Sequence, residues 1–199
     1  ITSDFKIQLH GDTIGPRNAI DSICPGTLAD VIYTGNASDT ASYYWDFGYA
    51  NVISGSGQGP YTVQWPYGGF AAVSLYVEEF NLVSDTTTND LYVHFDPTFT
   101  IFPYPNDTVP VNDTIVLTAD IASVSYLWST GETTQSIRVF HSLPENMGSV
   151  QSYWLIVTNE MGCSSIDSIT VLFDNPVLLN EFQHEIEMKV YPNPVNDHL

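Results

Sequence analysis

Ser42-Tyr43-Tyr44-Trp45-Asp46-Phe47-Gly48 and Ser125-Tyr126-Leu127-Trp128-Ser129-Thr130-Gly131 carry one pattern twice. Ser, Tyr, Trp and Gly recur at an offset of 83 residues in a chain of 199. The likeness extends both ways: Ala37-Ser38 falls against Ala122-Ser123, and Val73, Leu75 and Val77 fall against Tyr153, Leu155 and Val157. A recurring segment of this kind is one structural unit used twice. In each copy the Trp comes early, on a central strand, where an indole fills the space between two sheets. Trp45 and Trp128 are therefore both expected in cores, and truncating either to Ala should cost about 3–5 kcal/mol.

Outward from these segments, alternation is the dominant period. Tyr61-Thr62-Val63-Gln64-Trp65 sends Tyr61, Val63 and Trp65 to one face and the polar residues to the other. Val73–Val77, Leu91–Phe95, Thr114–Thr118 and Ile169–Phe173 behave the same way. Turn residues separate the runs, among them Gly55-Ser56-Gly57, Gly68-Gly69 and Glu160-Met161-Gly162. No capped helical stripe is present; residues 178–188 are the one weak helical candidate. Many short strands at regular spacing predict an all-β chain of two tandem sandwiches, over residues 23–96 and 97–174. The apolar, Pro-rich join Asp96–Pro105 reads as a short, stiff connection into the second copy. Residues 1–22 are left as an N-terminal segment in which Phe5–Leu9 is a strand, read as the end of an upstream domain.

Four Lys and Arg stand against 23 Asp and Glu, a net charge of −19. Such a chain repels nucleic-acid phosphates and anionic lipid. Hydrophobic residues at 43% are enough for packed cores and argue against disorder. No apolar run reaches the roughly 20 residues of a spanning helix. The chain starts without Met or a signal-peptide pattern, as expected of a mature or excised piece.

The first copy resembles a PKD domain, an immunoglobulin-like module of secreted and surface proteins. The residues carrying that likeness are Tyr44-Trp45-Asp46-Phe47-Gly48, then residues 55–65, Gly69 and Val73–Val77. The second copy, through residues 126–137 and 157–163, is similar to related repeats of Bacteroidetes surface proteins. Residues 188–199, with Tyr191-Pro192-Asn193-Pro194 at their centre, resemble the opening of a type A C-terminal sorting domain of type IX secretion, cut short. These resemblances imply a non-catalytic surface, adhesion or spacer segment of an exported protein, located extracellularly or at the outer-membrane surface. Its expected partners are the type IX secretion machinery and surface polysaccharide or outer-membrane proteins. Rival readings are an accessory carbohydrate-binding module of a secreted hydrolase and a fixed subunit of the export or gliding apparatus. Related repeats also pair two cysteines within one copy. Here each copy holds one, Cys24 and Cys163, so two free, partly buried thiols are the favoured expectation. A bridge between the copies stays open and needs Cα atoms within about 7 Å.

No catalytic residue stands out. His10, His94, His141, His184 and His198 are scattered, and metal-ligand spacing, CxxC, GxSxG and phosphate loops are missing. No metal site or cofactor is expected, with calcium at Asp12, Asp46, Asp85, Asp90 or Asp120 kept as the softer alternative. Seven of the fifteen aspartates precede Ser or Thr, where about three would follow from abundance. The triplets resemble the O-glycosylation acceptor of Bacteroidetes exported proteins and nominate Thr13, Ser22, Thr40, Thr86, Thr108, Thr114 and Ser168. Turn capping followed by strand entry would produce the same triplets. For the aromatic stretch Tyr61, Trp65, Tyr67 and Phe70 core packing is the favoured reading, with Tyr61, Val63 and Trp65 on one strand face; Tyr44, Tyr67 and Phe70 are kept as candidates for contact with a glycan.

Overall fold

The computed structural model describes residues 1–11, 20–104, 107–110, 112–122, 125–142 and 148–174. The helical candidate at residues 178–188 and the sorting-signal residues Tyr191, Pro192, Asn193 and Pro194 lie outside them. Among the described residues every regular element is a strand.

The first nine strands are β1 (Phe5–Leu9), β2 (Ser22–Ile23), β3 (Leu28–Tyr33), β4 (Ser42–Asp46), β5 (Asn51–Ser54), β6 (Tyr61–Gln64), β7 (Gly69–Glu79), β8 (Leu82–Val83) and β9 (Thr87–Val93). They form one sheet in the order β1-β3-β6-β5 and another in the order β2-β9-β7-β4, with β8 paired to β7. The alternating side chains decide which faces meet. Ala29, Val31 and Val63 of the first sheet and Val73, Leu75, Val77, Leu91 and Val93 of the second are buried in one core.

The second set is β10 (Ile101–Tyr104), β11 (Thr108–Pro110), β12 (Thr114–Ala119), β13 (Ser125–Trp128), β14 (Ser136–Phe140), β15 (Ser149–Thr158) and β16 (Ser164–Asp174). Their sheets run β10-β12-β14 and β11-β16-β15-β13 around a second core of Ile115, Leu117, Trp128, Leu155, Val171 and Phe173. Pro103 and Pro110 both sit in outer strands, where a missing N–H costs no ladder bond.

Seven strands of each sandwich correspond one to one. β2 runs parallel to β9, and β11 runs parallel to β16. β4 pairs β7 as β13 pairs β15. β1 pairs β3 as β10 pairs β12. A first strand that leaves one sheet and continues in the other is the immunoglobulin-like arrangement. The chain is thus two tandem immunoglobulin-like β-sandwiches. Two strands of the first sandwich have no described counterpart in the second: β8, which pairs β7, and β5, which flanks β6, whereas no described strand flanks β14 on its outer side.

Three expectations change. Phe5–Leu9 ends no upstream domain; it pairs with β3 over all five residues and buries Phe5 and Ile7 in the first core. The apolar side chains of β1 are what the first sandwich needs along that margin. Trp128 is fully buried, but Trp45 is only partly so. It lies among Phe5, Phe47 and Tyr61, with ring centroids at 5.1, 5.6 and 5.6 Å. The fully buried indole of the first core is Trp65. Finally, Cys24 and Cys163 are not free thiols. They form a disulfide across a sequence separation of 139, with Cα atoms 5.4 Å apart. Tandem stacking makes this contact: Cys24 follows β2 at the end of the first sandwich from which β9 exits, and Cys163 lies in the β15–β16 turn.

Candidate functional site

The period of two places Phe70, Ala72, Ser74, Tyr76 and Glu78 of β7 on the face away from the core. Register then brings aromatic partners beside them. Tyr44 of β4 stands opposite Tyr76, and the rings stack with centroids 4.5 Å apart and planes 9° apart. Tyr92 of β9 stands opposite Phe70, edge to face at 4.9 Å, and His94 follows Tyr92 at 5.3 Å. Six residues of strand put the two aromatic stations about 20 Å apart. Between them lie Ala72 and Ser74, with Asp90 opposite Ala72, and Thr88 and Asp46 opposite Ser74.

Tyr67 is in the loop before β7, stacked on Tyr49 at 4.8 Å. The Tyr49 hydroxyl donates to the carbonyl of Gly69, and the Tyr49 ring packs against the first core. Phe70, Tyr67 and Tyr44 are 86%, 60% and 43% exposed. The Tyr44 hydroxyl donates to Glu78 Oε2 at 3.2 Å, and that carboxylate raises the phenol's pKa above its ordinary value. Of the three residues nominated from sequence, Tyr44 and Phe70 thus share the outer face of this sheet at separate stations, whereas Tyr67 stacks on a ring that packs against the first core. Sequence reading missed Tyr76 and Tyr92. The even spacing from Phe70 to Tyr76 marks a shared face, but the pairing of Tyr92 requires the register of β9.

Such a face offers flat apolar rings and carboxylate or hydroxyl acceptors, a combination suited to polyol rings with one apolar side.

The glycosylation candidates scatter. Thr13 lies outside the described residues; Ser22, Thr40, Thr86, Thr108, Thr114 and Ser168 are all exposed. At two of them the preceding aspartate also serves the backbone. Asp113 Oδ1 accepts from the Thr114 amide at 2.7 Å, and Asp167 Oδ1 accepts from the Ser168 amide at 2.8 Å.

Among the described residues no group of three or more His, Cys, Asp or Glu comes together. Of the calcium candidates, Asp12 lies outside the described residues. Asp46 Oδ1 accepts from the Gly48 amide at 2.8 Å, and Asp120 Oδ1 accepts from the Thr100 amide at 2.7 Å. Asp85 and Asp90 stand without a cluster. One His–carboxylate pair is well formed, His10 Nδ1 to Asp30 Oδ1 at 2.7 Å, and Thr62 Oγ1 donates to that same oxygen at 3.0 Å. Its order is wrong for a nucleophile relay, in which the imidazole stands between hydroxyl and carboxylate.

The joint between the sandwiches is the other built feature. Besides the disulfide, Asn159 Nδ2 donates to the carbonyl of Phe95 at 3.0 Å. The Oδ1 of the same residue accepts from the amides of Met161 and Cys163 at 3.0 and 3.1 Å. One side chain thus shapes the turn that presents Cys163 and ties that turn to the first sandwich.

No protein-family model and no curated protein matches the chain. Solved structures with some likeness include a Bacteroides ovatus mixed-linkage glucan utilization locus protein, SGBP-B, in complex with a mixed-linkage heptasaccharide. It is 14% identical with a TM-score of 0.29, over 85% of this chain and 48% of that one. Murine CEACAM1b is 13% identical with a TM-score of 0.31, over 86% and 99%. The D0-D1 domain of Intimin is 13% identical with a TM-score of 0.28, over 86% and 97%. The chain spans about half the length of the first of these. Superposition this loose carries no residue, ligand or partner across to this chain.

Proposed function

We propose that this chain is a non-catalytic spacer or adhesion-type segment of an exported surface protein. The observation that carries the reading is the doubly tied joint. A connection of a few residues alone would let the second sandwich swing; the Cys24–Cys163 bridge and the Asn159 clasp restrain it at a second point. A stiff pair of sandwiches holds whatever lies beyond it at a set distance. The bridge also favours export, because disulfides persist in oxidising surroundings outside the cytosol.

The finer reading makes the chain a cargo of type IX secretion, routed by the segment around Tyr191-Pro192-Asn193-Pro194. It would be held at the outer surface near polysaccharide or outer-membrane proteins, with sugar added at the exposed Asp-Ser and Asp-Thr sites. The test is protease shaving of intact Bacteroidetes cells expressing the tagged chain, with secretion intact and with it disrupted. Export predicts loss of the tag from intact cells only where secretion works. Protection of the tag in both strains sinks the export reading.

A carbohydrate-binding role is the second reading, and the paired aromatics at the two stations of the first sandwich favour it. Electrophoresis through gels containing neutral polysaccharides checks it. Retardation by one polysaccharide, abolished by Tyr44→Ala with Phe70→Ala, is the expected result, and equal mobility in every gel removes the reading.

A further inference from the structure

We propose that the outer edge of β14 is a docking site for an extended acidic peptide, which adds to the second sandwich as the strand that β5 supplies in the first. The proposal is independent of the export reading.

The backbone makes the first part of the argument. β12 and β14 pair antiparallel with Leu117 opposite Ile137 and Ile115 opposite Val139. The Ala119 amide donates to the Gln135 carbonyl at 3.1 Å, which fixes the phase of the ladder. Ile137 and Val139 therefore turn their amides and carbonyls toward β12. Ser136, Arg138 and Phe140 turn theirs to the open side. Thr134 Oγ1 donates to the Ser136 carbonyl, but no described strand receives the amides and carbonyls of Arg138 and Phe140. An edge of this kind is a ready template for another strand. Two other edges are blunted, β5 by an irregular register at Val52 and Ser54 and β10 by Pro103. β14 has neither proline nor bulge.

The side chains make the second part. Arg138 is exposed, in a chain of net charge −19, and no carboxylate among the described residues pairs with it. On its face the register lines up Val116 and then Tyr104, with Phe102 and Phe140 nearby, all four carrying no charge. Tyr104, Phe102 and Phe140 are exposed. A carboxylate on an added strand opposite Arg138 would reach the guanidinium in the two-point geometry that arginine favours. Charge also decides against a second copy of this chain. Antiparallel self-pairing centred on β14 would set two Arg138 side chains directly opposite each other, which is destabilising.

The test uses the full, oxidised chain labelled with nitrogen-15 and capped hexapeptides of alternating Glu and Thr. A matching Lys and Thr peptide and an acidic peptide N-methylated along one edge serve as controls. The acidic peptide is expected to shift the Arg138 and Phe140 amides saturably and to slow their hydrogen exchange about tenfold. Arg138→Glu, at an exposed position, is expected to weaken that peptide about tenfold and to admit the Lys peptide. Three results overturn the proposal: no saturable shift at these amides, equal binding of the N-methylated peptide, or no effect of Arg138→Glu. A shift produced only by alginate, without slowed exchange, would make the face an anionic-glycan site and overturn strand addition as well.

Discussion

Trp65 and Trp128 are each 1% exposed, yet their indole nitrogens differ. Trp128 Nε1 donates to the Thr134 carbonyl at 2.8 Å. Trp65 Nε1 is buried without an acceptor. A buried donor left unpaired costs about 1–3 kcal/mol, whereas a satisfied one contributes about 1 kcal/mol net. Replacement by Phe removes volume at both sites but has opposite polar consequences. At position 65 it deletes the orphan donor; at position 128 it breaks a bond and strips the Thr134 carbonyl of its partner. Trp128→Phe should therefore lose about 2–4 kcal/mol more than Trp65→Phe. Amide hydrogen exchange within each core reads the two losses separately. Equal losses would mean that packing alone sets the value of both indoles. The sequence repeat hides this contrast, because it aligns Trp128 with Trp45, whose Nε1 donates to the Gly57 carbonyl at 3.0 Å from a partly buried site.

At the scale of elements, the β7–β8 hairpin holds a correctable local conflict. Glu79 pairs with Leu82, so Phe80 and Asn81 form a two-residue turn, with φ of 51° and 64°. Both residues are left-handed, the geometry of the hairpin turn that favours Asn followed by Gly. Phe80 is 85% exposed and gains little burial there. Phe80→Asn should raise the stability of the first sandwich by about 0.5–1 kcal/mol, since Asn tolerates this region better than a bulky residue. A thermal melt that falls instead of rising would show that the ring makes a contact worth more than the backbone strain. Such turns and strands differ in how far the sequence reveals them. Tyr61–Gln64, Thr114–Ala119 and the Val73–Val77 part of β7 follow directly from alternation over a half-buried sheet. β2 and β11 span two and three residues, too few to show a period, and exist because β9 and β16 give them partners. β5 is exposed at all four positions and so has no inner face to betray it. Phe5–Leu9 was visible as a strand, but its allegiance was not, because Gln8 is buried where alternation calls for an outward residue. The aromatic stations divide in the same way: exposure of Tyr44 was legible, whereas the outward turn of Phe70 and the pairing with Tyr76 and Tyr92 depended on register. The disulfide was the least legible feature, since it joins two units whose apposition no local pattern encodes.

For the whole molecule, that bridge matters through shape more than through folding. Closing a loop of such length inside one cooperative unit would be worth roughly 5 kcal/mol in the chain-entropy picture. Here each sandwich has its own core, so most of that constraint acts on the joint. Cys163→Ser should leave both cores folded and release the angle between them, with the Asn159 clasp the chief remaining tie. A second change, Asn159→Ala, should then widen the range of angles further. Charge gives the motion a direction. A net −19 spread over two bodies pushes them apart at low ionic strength, and salt screens that push as the Debye length falls from about 30 Å at 0.01 M to about 8 Å at 0.15 M. The oxidised wild type should show the same small-angle X-ray scattering profile across that salt range. The double variant should be extended in low salt and contract as salt rises, while amide exchange in both cores stays unchanged. If the wild type contracts as much as the variant, the two ties do not stiffen the joint and the spacer reading loses its physical basis. If the cores of the variant exchange freely, the bridge holds the sandwiches folded rather than aligned, and its contribution belongs to stability.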